Sequence, residues 1–256
     1  MKLVILAGGR RSAISEVGEG IPKPMIEIGD RPLLWHIMKH ASQYGIDEFI
    51  ICGGYKINMI KEYFQDFYLY QSDIEIDTGS NEVKILKKKS ENWKVTVVDT
   101  GLMVSPSKRI KQIQKYIKED MFCVTYGDCL TDIPYNKLLS LHEEKGRMAT
   151  MGVAHPAGRK ITFSFDKSGE FRDTNNICRQ GNTEAWTSAG VFAFSTEVFE
   201  YLDTDLDIEE ILISYGRDRV FPYQHVGFCM SIETLRDKAA AEQLWVSGNA
   251  PWVKDI

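Results

Sequence analysis

The sequence is poor in the features that assign a protein quickly. Its 256 residues hold five cysteines, Cys52, Cys123, Cys129, Cys178 and Cys229. The number is odd, the spacings are wide and no C-x-x-C occurs, so neither a disulfide framework nor a zinc site is indicated. Such usage fits a reducing, cytoplasmic setting. The five histidines show no metal-ligand cluster; His36 and His40, four apart on an expected helix, read as ordinary helix residues. No apolar run approaches the length needed to span a bilayer. The run Lys2 to Leu6 is too short for a signal-peptide core and passes straight into Gly8-Gly9. A basic excess is missing too. There are 31 Lys and Arg against 36 Asp and Glu, a formal charge of −5, which argues against a nucleic-acid-coating surface. There is no internal repeat and no low-complexity linker. A G-x-G-x-x-G with an acidic residue about 20 positions on, which a dinucleotide-dependent oxidoreductase needs, is absent, as is a Walker loop.

What is present is an ordinary globular composition, 43 % hydrophobic, in a chain long enough to bury a sizeable core as one large domain. Lys2 to Leu6 reads as a buried parallel strand followed by a tight loop. Asp30 is placed to cap a helix with Pro32 in its first turn and Leu33, Leu34, Ile37, Met38 and Ala41 as its apolar stripe. Glu48 to Cys52 is a strand, and a helix follows Gly53-Gly54 with Ile57, Ile60, Tyr63 and Phe64 on one face. Ile74 and Ile76, the turn Asp77-Thr78-Gly79-Ser80, then Val83 and Ile85 predict a hairpin outside the main sheet, with Lys87-Lys88-Lys89 at its solvated end. Val95 to Val98 is a strand, Ile110, Ile113 and Ile117 mark a helix, and Phe122 to Thr125 is a strand.

This alternation predicts an α/β fold, a Rossmann-like, mostly parallel mixed sheet flanked by helices. From Met148 the texture changes. Strands are expected at Met151 to Ala154, Ile161 to Phe165, Thr187 to Phe194 and Arg219 to His225. Helices are expected at Thr196 to Leu202, Asp207 to Tyr215 and Glu233 to Val246. The single domain, 1–256, thus divides into two parts of different texture, 1–147 and 148–256.

Ligands of open parallel sheets gather outside the carboxyl ends of the strands. Three loops there carry unusual residues. Ala7-Gly8-Gly9-Arg10-Arg11-Ser12 offers free amides and two guanidiniums to an anion. In Pro22-Lys23-Pro24 two prolines fix the backbone around one ammonium, which suits a polyphosphate. In Tyr126-Gly127-Asp128 a carboxylate ends a strand beside a glycine, a good position for magnesium, which typically takes one or two carboxylates plus substrate phosphates. Asp132 reads as the cap of the helix before Pro134.

These stretches belong to a longer set: Ala7-Gly8-Gly9, Pro22-Lys23-Pro24-Met25, Leu34-Trp35-His36-Ile37-Met38-Lys39, Cys52-Gly53-Gly54-Tyr55-Lys56, Ile60-Lys61-Glu62-Tyr63-Phe64, Val98-Asp99-Thr100-Gly101, Tyr126-Gly127-Asp128, Thr234-Leu235-Arg236-Asp237-Lys238 and Ala250-Pro251-Trp252. Nearly end to end, the chain resembles bacterial glucose-1-phosphate cytidylyltransferases, within the sugar-nucleotide pyrophosphorylases. The resemblance implies attack of an acceptor phosphate oxygen on the α-phosphorus of MgCTP, with pyrophosphate leaving. It also implies a homo-oligomer, and a CDP-linked product of the kind used for surface polysaccharide. By resemblance, Leu6, Ala7, Gly8, Gly9, Arg10, Arg11, Ser12, Gly127 and Asp128 surround the nucleotide. Lys23 meets phosphate oxygens, and Thr100 and Arg109 lie near the cytosine. Asp128 holds magnesium (manganese or cobalt as substitutes) with Glu233 as second ligand. Asp132, Arg159, Lys160, Thr187, Ser188 and Gly190 fall in the acceptor half.

The chain departs from the family pattern at three places. After Gly9 the family has any residue, then Gly-Thr-Arg-Leu; here Arg10 precedes Arg11-Ser12-Ala13-Ile14, so Ala13 replaces the family arginine and Arg10 or Arg11 is the candidate to supply its charge from a different backbone position. Glu233 replaces an aspartate. Its extra methylene moves the carboxylate by roughly 1.5 Å, so a rotamer or backbone change must compensate. The Glu-Lys-Pro lysine that meets the sugar phosphate has no counterpart near Phe171-Arg172-Asp173-Thr174, which leaves Arg159 and Lys160 as its replacements. A different sugar phosphate, or a small non-sugar phosphate or phosphonate, therefore competes with glucose 1-phosphate as acceptor. The alternative to an active enzyme is a catalytically silent nucleotide-binding relative with a regulatory or assembly role.

Overall fold

The structure, a computed structural model, describes residues 1–9, 20–155, 161–165, 169, 171–177, 186–214 and 218–253; of 161–165 and 171–177 it describes the backbone. In chain order the elements are β1 (Lys2–Ala7), β2 (Glu27–Ile28), β3 (Arg31–Pro32), α1 (Leu33–Ser42), β4 (Glu48–Gly53), α2 (Ile57–Gln65), α3 (Phe67–Tyr70), β5 (Asp73–Asp77), β6 (Glu82–Lys87), β7 (Lys94–Asp99) and α4 (Pro106–Gln112). They continue with β8 (Met121–Tyr126), β9 (Cys129–Thr131), α5 (Tyr135–Lys145), β10 (Ala149–Ala154), β11 (Ile161–Phe165), β12 (Phe171–Ile177), β13 (Thr187–Ser195), α6 (Ile208–Ser214), β14 (Val220–His225), β15 (Cys229–Ser231) and α7 (Leu235–Val246). Short 3-10 turns lie at Lys23–Met25, Gln114–Tyr116 and Thr196–Glu200.

Seven strands form the main sheet in the order β14-β10-β13-β8-β1-β4-β7. Neighbours pair parallel except at β13, which runs antiparallel to both β8 and β10. The central strands are apolar throughout because both faces are covered. In β1, Leu3, Ile5 and Ala7 pack under α1, α5 and α7, while Val4 and Leu6 pack against α4, α6 and the Thr196–Glu200 turn. One apolar face per residue, alternating with period two, gives each helix layer its own core. The buried thiols Cys52 and Cys123 belong to these layers, and burial pushes each up to about 12.

The hairpin β5–β6 stands outside the main sheet, as its alternating pattern predicts. Several local expectations are corrected. Asp30 does not cap α1: Asp30 lies between β2 and β3, Pro32 is the cap residue, and the free Leu33 amide donates to the Ile26 carbonyl at 2.8 Å. Asp132 does not cap α5, because its carboxylate is taken by His225. The helix expected across Ile110 to Ile117 breaks after Gln112 into a 3-10 turn. The helix expected from Glu233 starts one residue after Thr234, whose hydroxyl accepts from the Asp237 amide in a capping box. Thr196 to Glu200 is 3-10 rather than α. His36 and His40 are fully buried on α1. His36 bridges the Ile28 carbonyl and the Trp252 indole N–H, and burial lowers its pKa to about 4. His40 sits between the Trp252 and Ile133 carbonyls.

Candidate active site

The parallel strands β1, β4, β7, β8, β10 and β14 all end at one edge of the main sheet, and the antiparallel β13 begins there. From one side to the other this edge presents His225, Ala154, Thr187, Tyr126 with Asp128, Ala7 with Gly8, Gly53 and Asp99. It is where a ligand of such a sheet binds. A cleft of about 270 Å³ opens there, its lining including Gly8, Gly9, Lys23, Arg109, Tyr126 and Asp128.

Arg109, on α4, builds one part of the cleft. It is 3 % exposed. Its Nη1 donates to Gly53 O at 3.2 Å, Thr100 Oγ1 at 2.6 Å and Gly101 O at 2.8 Å, and its Nη2 donates to Gly8 O at 2.9 Å. One guanidinium thus ties together the loops after β1, β4 and β7. Burial pushes the Arg109 pKa below its ordinary value, and the carbonyl oxygens around it compensate the buried charge. The closeness of that tie explains Gly8: a Cβ there would lie 2.0 Å from Arg109 Nη1. Thr100 is buried beside it, and its hydroxyl also donates to Gly53 O at 2.6 Å. Arg109 and Thr100 therefore spend their hydrogen bonds on the scaffold that shapes the cleft.

Lys23 lines the same cleft. The turn Lys23–Met25 is closed by the Met25 amide on Pro22 O at 2.8 Å, with Pro22 and Pro24 on either side of the lysine. Lys23 Nζ lies 2.5 Å from Asp128 Oδ2, with roughly a quarter of each side chain exposed. Asp128 is held by its own strand end: the Gly127 amide donates to Leu6 O at 2.9 Å, and the Ile232 amide donates to Asp128 O at 2.8 Å. That last bond brings the backbone of Glu233 beside Asp128, while the Glu233 amide donates to Asp237 Oδ2 at 3.1 Å. Among the described residues no group of three or more His, Cys, Asp or Glu gathers.

Two participants had no role in the sequence reading. The Tyr126 hydroxyl donates to Glu209 Oε2, on α6, at 2.8 Å. Burial, aided by the Glu209 charge, pushes the Tyr126 phenol far above its ordinary range and keeps it protonated. His225 faces Asp132, with Nε2 to Oδ1 at 2.5 Å. Tyr126 stood within a recognised motif, but its partner is remote in sequence; His225 had no local signal. Where β13 begins, Thr187 is buried and pairs with Ala154, Ser188 Oγ accepts from the Gly190 amide at 3.1 Å, and Gly190 packs on Tyr126 and Cys129. The structure thus brings Leu6, Ala7, Gly8, Gly9, Lys23, Arg109, Gly127 and Asp128 into one cleft. Arg10, Arg11, Ser12, Arg159 and Lys160 lie outside the described residues.

Residues 2–215 match the family model described as nucleotidyl transferase. The chain belongs to the nucleotidyl transferase family. It is 37 % identical over 98 % of its length, and 98 % of the relative's, to a protein of Salmonella typhimurium named glucose-1-phosphate cytidylyltransferase. A Bacillus subtilis protein named probable glucose-1-phosphate cytidylyltransferase is 34 % identical over 98 % of this chain and 99 % of the relative. The sequence resemblance to that group of nucleotidyltransferases therefore holds across the whole chain. Among solved structures, HddC from Yersinia pseudotuberculosis aligns with a TM-score of 0.72 at 19 % identity, covering 95 % of this chain and 99 % of that one. A UDP-glucose pyrophosphorylase complexed with UDP-glucose also gives 0.72 at 18 % identity, covering 96 % of this chain and 98 % of that one. Both share the nucleotidyltransferase fold.

Proposed function

We propose that this nucleotidyltransferase moves CMP from CTP to a sugar 1-phosphate, with glucose 1-phosphate the first acceptor to try. The observation that carries the reading is the Lys23–Asp128 pair, 2.5 Å apart at the mouth of a glycine-floored cleft. Both reactants are anions, so the site must neutralise charge and align oxygens. A phosphate oxygen of the acceptor forms a bond to the α-phosphorus, the bond from that phosphorus to the bridging oxygen breaks, and pyrophosphate leaves with the electron pair. The Lys23 ammonium binds phosphate oxygens through this change, and the Gly8 and Gly9 backbone admits the triphosphate without side-chain hindrance. By resemblance, Arg10, Arg11 and Ser12, next in sequence, meet the same phosphates. Choice of cytosine rests on the named relatives.

The donor set suits a divalent cation. Asp128 already faces one cation, the Lys23 ammonium, and Glu233 is tied next to it through Ile232. One or two carboxylates plus substrate phosphates is the usual environment of magnesium. Asp128 with Glu233 would hold magnesium, or manganese or cobalt, which supplies neutralisation of charge on the phosphates. The acceptor occupies the edge beside β13, β10 and β14, with Asp132, Thr187, Ser188 and Gly190; by resemblance Arg159 and Lys160 serve its phosphate. The residues up to 147 handle mainly nucleotide and those from 148 mainly acceptor. Cys52, Cys123, Cys129 and Cys229, none of them in a disulfide among the described residues, support a cytoplasmic enzyme, and the sequence resemblance extends the reading to a homo-oligomer whose CDP-linked product serves surface polysaccharide. Asp128→Asn tests the reading. The variant should fold as the wild type does, by circular dichroism, and lose pyrophosphate release by at least about a hundredfold; unchanged turnover would overturn the role of Asp128.

A further inference from the structure

The acceptor end of the sheet edge carries a second preorganised carboxylate. Asp132 follows β9 directly, and its amide donates to Phe228 O at 3.1 Å. Thr131 Oγ1 donates to the same carbonyl at 3.0 Å. Asp132 Oδ1 lies 2.5 Å from Nε2 of His225, the last residue of the edge strand β14. An ionised carboxylate only accepts hydrogen bonds, so Nε2 is the protonated nitrogen of that ring. The turn from His225 to Phe228 closes over the pair so tightly that a Cβ at Gly227 would come within 2.5 Å of both Asp132 Oδ1 and His225 Nε2. The pair is nevertheless reachable, with 29 % of the Asp132 side chain exposed. Among the described residues His225 is the one side-chain partner of Asp132, and it engages Oδ1 only.

Position decides what this carboxylate meets. His225 lies level with Ala154 and Thr187 across β14, β10 and β13, at the same sheet edge as Asp128. The ladder of β9 and β15 joins the two carboxylates: Asp128 O receives Ile232 N at one end, and Asp132 N reaches Phe228 O at the other. Four extended residues span about 13 Å, of the order of one monosaccharide ring with its phosphate. The nucleotide cleft lies on the other side of Asp128. We infer that Asp132 binds a hydroxyl of the acceptor sugar through its free oxygen, and that His225 is the positioning residue that fixes the carboxylate for it. Resting on the nucleotidyl-transfer reading above, this adds a contact at the end of the sugar remote from its phosphate, where a second anion would face Asp132.

The experiment is steady-state pyrophosphate release with CTP and hexose 1-phosphates, using Asp132→Asn, His225→Ala and His225→Gln, together with the monodeoxy forms of the preferred acceptor. Asp132→Asn and His225→Ala should raise the acceptor KM by about ten- to a hundredfold, with kcat and the KM for CTP within about threefold. His225→Gln, whose amide N–H can replace Nε2–H, should recover most of the acceptor KM. One monodeoxy acceptor should be poor for the wild type yet no worse than its parent for Asp132→Asn. An unchanged acceptor KM in Asp132→Asn, or a loss confined to kcat or to CTP, overturns the inference. His225→Gln behaving as His225→Ala overturns the positioning role, and because glutamine keeps a polar side chain it stays informative if the alanine variant fails to fold. No pyrophosphate from wild type with any hexose 1-phosphate overturns the proposed function and this inference with it; release by wild type with an unaltered Asp132→Asn overturns the inference alone.

Discussion

Replacing Arg109 by methionine removes the guanidinium while keeping a long side chain in its place. Gly53 O keeps two other donors, the Thr100 amide at 3.0 Å and the Thr100 hydroxyl at 2.6 Å. Gly8 O and Gly101 O lose the donors at 2.9 and 2.8 Å. A buried acceptor left unsatisfied costs about 1–3 kcal/mol; Gly8 O is buried and Gly101 O half-buried, so the two together cost roughly 2–5 kcal/mol. The desolvation of the charge, which disappears with it, offsets part of this. A net loss of about 3 kcal/mol is expected, a large share of the roughly 5–15 kcal/mol that holds a domain folded. The floor of the cleft should loosen with it, because Gly8 O is anchored by this one side chain. Urea denaturation reads the first effect as a lowered midpoint at constant slope, and CTP titration by calorimetry reads the second. Arg109→Lys should fall between wild type and methionine, since one ammonium cannot serve all the loops. A stability change under about 1 kcal/mol with wild-type CTP affinity would refute the assignment of Arg109 as the tie between the three loops.

Two further outcomes follow from the geometry. Gly8→Ala would place Cβ 2.0 Å from Arg109 Nη1, so it should cost about 1–3 kcal/mol of stability and weaken CTP binding; a variant indistinguishable from wild type in both would contradict the close approach. His36 has a folded pKa of about 4, lowered by burial from 6.5, so between pH 6.5 and pH 4 the unfolded chain binds more protons and stability falls as pH falls. The change amounts to about 3 kcal/mol across that window, and urea midpoints measured against pH should flatten there in His36→Gln; equal slopes would reject it.

The site was legible where chemistry lies in contiguous residues. Pro22-Lys23-Pro24 and Tyr126-Gly127-Asp128 announce a fixed cation and a strand-end carboxylate, and the structure brings the two within 2.5 Å. The parallel core strands were legible because both of their faces are apolar, and the hairpin β5–β6 because its sequence alternates. Other parts left no such trace. Arg109 acts on backbone carbonyls, which every residue carries, so nothing in the sequence marks its targets. Asp132 was read as a cap because a carboxylate stands just before Pro134; its actual partner, His225, is 93 residues away. Asp30 suggests a cap in the same way, but the Ile26 carbonyl, one residue before β2, already takes the first amide of α1. Strand β12 escaped notice because Phe171–Ile177 is mostly polar, and β9 and β15 because three residues are too few to show a period.

The central claim is tested most directly by mixing the purified protein with CTP, magnesium and glucose 1-phosphate and following pyrophosphate release and the nucleotide product by mass. Parallel reactions would hold ATP, UTP, GTP or dTTP, or other hexose 1-phosphates, glycerol phosphates and small phosphonates. The account predicts pyrophosphate and a CDP-linked sugar with CTP and a hexose 1-phosphate. Tight CTP binding with no pyrophosphate from any acceptor would contradict it.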